Sequence, residues 1–229
     1  IGQKRFAIMS VLLPIIMVTA GAIRLWGAPS PVPSTNMLPL VRLVQPAISQ
    51  AEKWDITKRQ THLNRLVSLS RQGELTPKLV IWPETAFAGF ASRNAELLYK
   101  TVRDATGNQS TLITGIPRFG SGDFSLLNSA VMFDHNVSMK GVYDRRHLVP
   151  FGEYMPFRKW LPFLTPLVGK VDFVAGQKNA LMKLDAIGTI QLLICYEVIF
   201  SGDVIQPAMR PDLIVNLTND AWFGVSAGP

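Results

Sequence analysis

The sequence is short of cysteine and histidine: one Cys, at 195, and three His in 229 residues. A single cysteine excludes an internal disulfide framework and a Cys-rich zinc site. Charged residues are also few, at 17% against 48% hydrophobic, which excludes a disordered chain. The 17 Gly and 16 Pro follow no period, so collagen-like and low-complexity classes fail. There is no repeat at 20–50 residues. The net charge of +7 is spread along the chain, without the run of five or six cations that marks a nucleic-acid arm. No nucleic-acid partner, metal or cofactor is therefore expected.

What the chain does have is one long apolar run. The mean hydropathy of +0.20 is high for a soluble enzyme, and the first 26 residues account for it. Residues 6–23, FAIMSVLLPIIMVTAGAI, carry no charge over 18 positions. A helix of that length covers about 27 Å, close to the hydrocarbon thickness of a bilayer. Pro14 lies mid-run, a position that membrane helices tolerate. Lys4 and Arg5 precede the run and Arg24 follows it, which favours a cytoplasmic N-terminal side and places later residues outside. A signal peptide has a shorter apolar core, and a buried soluble helix is the other alternative. The organisation expected is a transmembrane helix at 1–27, a Pro/Ser-rich linker at 28–37 and a further domain at 38–229. The opening Ile1 suggests a piece of something larger.

Past the linker, short apolar runs alternate with polar helical stretches. VRLVQPA (41–47), KLVIW (78–82), TLITGIPRF (111–119), LLNSAVMFD (126–134) and VSMKGVYDR (137–145) read as strands. Further strands lie within 188–200 and 212–220. Helices are expected over 49–71 and 92–106, the second ending near Gly107. His135-Asn136 suits a tight hairpin turn. The pattern predicts an α/β protein with mixed strand directions.

Glu84, Arg145 and Cys195 each sit where an apolar run stops. In open α/β sheets ligands bind beyond such strand ends, so a carboxylate, a cation and a thiol can converge there. A thiol needs a base or a lowered pKa to become a nucleophile. Of the histidines, His62 falls in a polar helix and His135 in a turn, which leaves His147 for a Cys–His dyad. Glu84 is the alternative base, because partial burial lifts a carboxylate toward neutrality. Each residue alone also has an ordinary structural reading: a core thiol, a turn carboxylate, a solvated arginine. Three Asn-X-Ser/Thr triplets, at 108, 136 and 216, are short enough to arise by chance.

The words around these residues are more specific. VIWPETAF (80–87), YDRRHLVPFGEYMPF (143–157), LLICYEVIF (192–200) and NLTNDAWFG (216–224), in that order, resemble the carbon–nitrogen hydrolase (nitrilase) superfamily. VRLVQ followed by KWD (53–55) looks like the start of that domain. More narrowly, the words look like its membrane branch, the apolipoprotein N-acyltransferases of bacterial envelopes. The resemblance implies an αββα sandwich of the nitrilase type, here preceded by one transmembrane helix, the last of an N-terminal bundle. It also implies a domain that stops short of its C-terminal end. By the same resemblance Glu84 is the general base, Cys195 the nucleophile and Glu153 a second, supporting glutamate. Tyr196 and Glu197 flank the nucleophile. The family's lysine falls at Arg145, whose guanidinium cannot give up its proton at ordinary pH.

The activity implied is acyl transfer through a Cys thioester. The donor is a phospholipid, and the acceptor is the N-terminal amine of a diacylglyceryl-cysteine apolipoprotein. The site implied is the periplasmic face of a bacterial inner membrane. Two rivals remain. One is an amidase or nitrilase that hydrolyses small soluble amides. The other is a non-catalytic relative, with Arg145 as the mark of lost activity.

Overall fold

Successive residues of the central strands face two different apolar cores, and that alternation sets the architecture. The computed structural model describes residues 2–27, 39–120, 125–156, 172–176, 181–204 and 210–224. The expected linker at 28–37 lies outside them. The chain divides into two compact units, 1–38 and 39–229.

The first unit is helix α1, Gly2–Trp26, with Pro14 inside it. The 18 residues Met9–Trp26 are apolar and long enough to cross a membrane, and their side chains are exposed. Thr19 returns its hydroxyl to the carbonyls of Ile15 and Ile16, so no polar group on this turn is left open to an apolar surrounding.

The second unit has a five-stranded sheet in the order β1 (Val41–Leu43), β2 (Leu79–Ile81), β3 (Thr111–Phe119), β4 (Leu126–Phe133) and β5 (Met139–Asp144). The first three strands run parallel, and the last two continue as antiparallel hairpins. A second sheet pairs β6 (Leu181–Leu184) antiparallel to β7 (Gly188–Ile194), and β7 parallel to β8 (Leu213–Leu217). Val80, Trp82, Leu112, Val131 and Phe133 point to one side of the first sheet. There they pack on Leu63 and Leu66 of α2 (Arg59–Ser70) and on Leu98 and Val102 of α3 (Ala95–Thr106). Their neighbours Leu79, Ile81, Ile113, Ala130 and Met132 face the other way, onto Ile190, Leu192, Ile194, Val215 and Leu217 of the second sheet. The order is helices, sheet, sheet. Besides α2 and α3, the helical segments described in this unit are short turns, Cys195–Ile199, Ser201–Val204 and Asp220–Phe223.

Three boundaries differ from expectation. β1 stops at Leu43, because Pro46 has no N–H for a ladder and Ala47 takes a positive φ of 50°. The helix expected from residue 49 starts at Arg59, since the Asp55 carboxylate accepts from the N–H and hydroxyl of Thr57 and forms a turn instead. The hairpin after β4 is wider than two residues, with Asp134 accepting from the N–H groups of Asn136 and Ser138. Helix α3 ends as expected, on Gly107 in the left-handed conformation.

One packing contact fixes the segment after β2. Gly115 of β3 donates to the Pro83 carbonyl and accepts from Phe87 N–H. A Cβ at 115 would stand 2.3 Å from Thr85 N and 2.7 Å from Glu84 Cα. Gly115→Ala must therefore push the Glu84 turn off the sheet. It is expected to cost about 1–3 kcal/mol, as overpacking does. Thermal unfolding of the full-length protein in detergent measures this, and an unchanged midpoint would refute the close approach.

Candidate active site

The residues come from beyond the ends of three strands and from within a fourth. Glu84 follows β2 by three residues, and Asn128 lies inside β4. Arg145 directly follows β5, and Cys195 directly follows β7. Glu84, Asn128, Arg145, Glu153 and Cys195 line one cavity of about 460 Å³, together with Lys53, Trp54, Val149, Phe173 and Asn219.

Two carboxylates share their donors inside it. Asn128 Nδ2 donates to Glu84 Oε1 at 2.7 Å and to Glu153 Oε1 at 3.1 Å. Arg145 Nη1 lies 3.0 Å from Glu153 Oε1 and 3.5 Å from Glu84 Oε1. The guanidinium is buried, and its Nε donates to the His147 carbonyl at 3.0 Å. Glu153 is completed by Val149 N–H on its other oxygen. Glu84 Oε2, Asn128 Oδ1 and Arg145 Nη2 are buried without a partner. Unmet buried polar groups cost stability, so two acceptors and a donor left unpaired among the residues of one cavity need a reason beyond packing.

Cys195 starts the short 3-10 helix with φ at +54°, a conformation that costs a non-glycine residue on the order of 1–3 kcal/mol. Its carbonyl accepts from Asn216 Nδ2 of β8. The thiol is pushed up to about 11, first by burial and then by the negative charge of Glu84, with Arg145 and the Tyr196 N–H pulling the other way. At neutral pH it is a protonated thiol beside a carboxylate, and to act as a nucleophile it would need a proton acceptor. His147 does not line this cavity, and its ring stacks on Phe200 at 4.4 Å between centroids. The arrangement favours Glu84 over His147 as that acceptor.

The two flanking residues differ. Tyr196 is exposed and packs edge-on against Phe200, outside the cavity lining. Glu197 is buried and works as a clamp. Its carboxylate accepts from the Tyr143 hydroxyl, from the backbone N–H of Arg146 and His147, and from Ile194 N–H. It thereby ties the strand end bearing Arg145 to the turn bearing Cys195. Burial and this carboxylate raise the Tyr143 phenol above its usual range. Among the described residues no cluster of three His, Cys, Asp or Glu is placed to hold a metal.

Sequence reasoning missed Asn128 and gave Lys53 no role. Asn128 had a signal, a polar residue inside the apolar run LLNSAVMF. Lys53 had only its place in the word KWD (53–55), within a polar stretch that looks solvated.

The clamp generates a prediction. Glu197→Gln puts an NH₂ group against N–H and O–H donors, and about 1–3 kcal/mol of stability should go with it. A thermal unfolding midpoint equal to the parent's would show that the clamp carries no load.

Residues 40–229 match the family described as carbon–nitrogen hydrolase. The chain is 34% identical to an apolipoprotein N-acyltransferase of Bradyrhizobium diazoefficiens, over 96% of this chain and 43% of that protein. It is 36% identical to one of Rickettsia prowazekii, over 96% of this chain and 44% of that protein. The chain thus spans a little under half the length of these curated relatives. In fold it is similar to the crystal structure of a carbon–nitrogen hydrolase from Helicobacter pylori G27. There the TM-score is 0.55 at 14% identity, over 78% of this chain and 59% of that one. A match along 190 residues, on a fold of the same kind, settles the family: this chain is a carbon–nitrogen hydrolase family member.

Proposed function

We propose that this domain transfers an acyl chain from a phospholipid, through a Cys195 thioester, to the N-terminal amine of a diacylglyceryl-cysteine apolipoprotein. The observation that carries the reading is the convergence of Glu84, Arg145 and Cys195 on one cavity, with an unpartnered acceptor on Glu84 and an unpartnered donor on Arg145. The similarity to proteins named apolipoprotein N-acyltransferase supplies the substrate class.

The chemistry follows from the atoms present. Sγ of Cys195 attacks the ester carbonyl while Glu84 takes the thiol proton. Negative charge on the carbonyl oxygen is met by the Arg145 guanidinium. The C–O bond breaks, Glu84 returns the proton to the departing alkoxide, and the acyl chain stays on sulfur. The acceptor amine then attacks the thioester and gives its proton to Glu84. The C–S bond breaks, and the thiolate is reprotonated. Arg145 acts only as a fixed charge, because it holds its proton throughout. Glu153 and Asn128 hold Arg145 and Glu84 in register.

Lipid substrates suit the surface. Trp54, Val149 and Phe173 put apolar area on the cavity wall. Trp54, Phe151, Val174, Tyr196, Val198 and Ile199, all on segments that carry the site, leave large apolar side chains exposed. Helix α1 fits the last span of a membrane bundle, with the domain on the periplasmic face of a bacterial inner membrane. An amidase acting on small soluble amides needs neither feature.

Two outcomes are expected. Full-length protein in detergent, given phospholipid and a diacylglyceryl-cysteine peptide, should form the N-acyl peptide, and Cys195→Ala and Glu84→Gln should abolish it. Product formed by Glu84→Gln but not by His147→Ala would return the base to histidine. In single-turnover acylation, Arg145→Ala should be slower by about 10²–10³, the usual loss for one oxyanion donor. Arg145→Lys should keep or raise the rate. An Arg145→Ala rate equal to the parent's would remove the guanidinium from the chemistry.

A further inference from the structure

Lys53 lies in the turns that precede α2 and is buried. Its Nζ donates to the backbone carbonyl of Glu84 at 3.0 Å. Among the described residues it makes no ion pair within 4 Å. A buried ammonium without a carboxylate contact is costly, and an apolar side chain of the same length would fill the space more cheaply. The cost has a location. Lys53 stands in the wall between the cavity of Cys195 and a second one of about 450 Å³, and lines both.

The charges around it are unbalanced without it. Glu84 and Glu153 share one guanidinium, that of Arg145, and one neutral amide, that of Asn128. Cys195 adds no positive charge. The second cavity that Lys53 lines also has Arg59, His62 and Asp220 in its wall. The segment that Lys53 holds is itself under constraint. Thr85 has a positive φ of 50°, and Gly115 presses on the Glu84 backbone from below.

We infer that Lys53 is a positioning residue for Glu84: its buried ammonium anchors the Glu84 carbonyl and supplies the second positive charge facing the Glu84–Glu153 pair. This rests on Glu84 being the base. Burial draws the Lys53 ammonium down to about 8, and the charge of Glu84 opposes the fall. Below that pH the ammonium is protonated, so its charge is in place throughout the range where carboxylates titrate.

The test is the pH profile of single-turnover Cys195 acylation, with full-length protein in mixed micelles of a defined diacyl phospholipid. Lys53→Met and Lys53→Gln remove the charge, Lys53→Arg keeps it, and Lys58→Ala removes an exposed neighbouring charge as a control. A unit charge at roughly 8 Å, in a medium of effective dielectric constant about 20, corresponds to about 1.5 pH units. The acidic limb should therefore move up by about one unit or more in the Met and Gln variants. It should stay with the parent in the Arg and Lys58→Ala variants. A slower rate with an unmoved limb in both Met and Gln would reduce Lys53 to a backbone prop and overturn the inference. So would a limb that moves equally in Lys53→Arg. If Glu84→Gln acylates at the parent's rate, the base assignment itself fails, which is a separate result.

Discussion

Two carboxylates held against one guanidinium organise this site. Glu84 and Glu153 come from different parts of the chain, and bringing them together buries two negative charges. Such a pair survives only with cations and donors fixed around it. Arg145, Asn128 and the Val149 N–H supply them, and each is held by another layer of structure. Arg145 is pinned through its Nε to the His147 carbonyl, and its own carbonyl accepts from Gly176 N–H. The Glu197 clamp then fixes the strand end to the turn bearing Cys195. Loss of any one of these ties leaves a buried charge under-compensated, so the cluster stands or falls together.

The same constraint explains what arginine does at 145. A lysine presents a point charge on a flexible stem, whereas arginine presents a rigid fork. Here one arm of the fork faces both carboxylates and the other is buried without a hydrogen-bond partner. That geometry suits a donor to a developing oxyanion and gives no route for shuttling a proton. In the proposed reaction proton traffic falls to Glu84, beside a thiol that burial and charge keep protonated at rest. That proposal calls for base-assisted attack rather than a standing thiolate.

Much of this was legible in the sequence because strand ends are legible. Apolar runs ending at Trp82, Asp144 and Ile194 put Glu84, Arg145 and Cys195 at strand ends. The two-sided strands read as continuous apolar runs, which is what burial between helices and a second sheet demands. What could not be read was local chemistry that competes with periodicity. The Asx turn at Asp55 displaced the start of α2, and Lys53, just before it, reaches the Glu84 carbonyl. Asn128 is paired across space with residues 44 and 25 positions away, a relation that spacing cannot express. The three-residue strands β1 and β2 are too short for a pattern, and their register comes from the sheet around them.

The central claim is that Cys195 carries the acyl chain. It is tested most directly by giving the full-length protein phospholipid alone, without acceptor, and mapping the adduct by peptide mass spectrometry. The account predicts one acyl chain on Cys195, released by neutral hydroxylamine as a thioester is, and then transferable to an added amine. An unmodified Cys195 with the acyl chain on another residue, or an adduct stable to hydroxylamine, would contradict it.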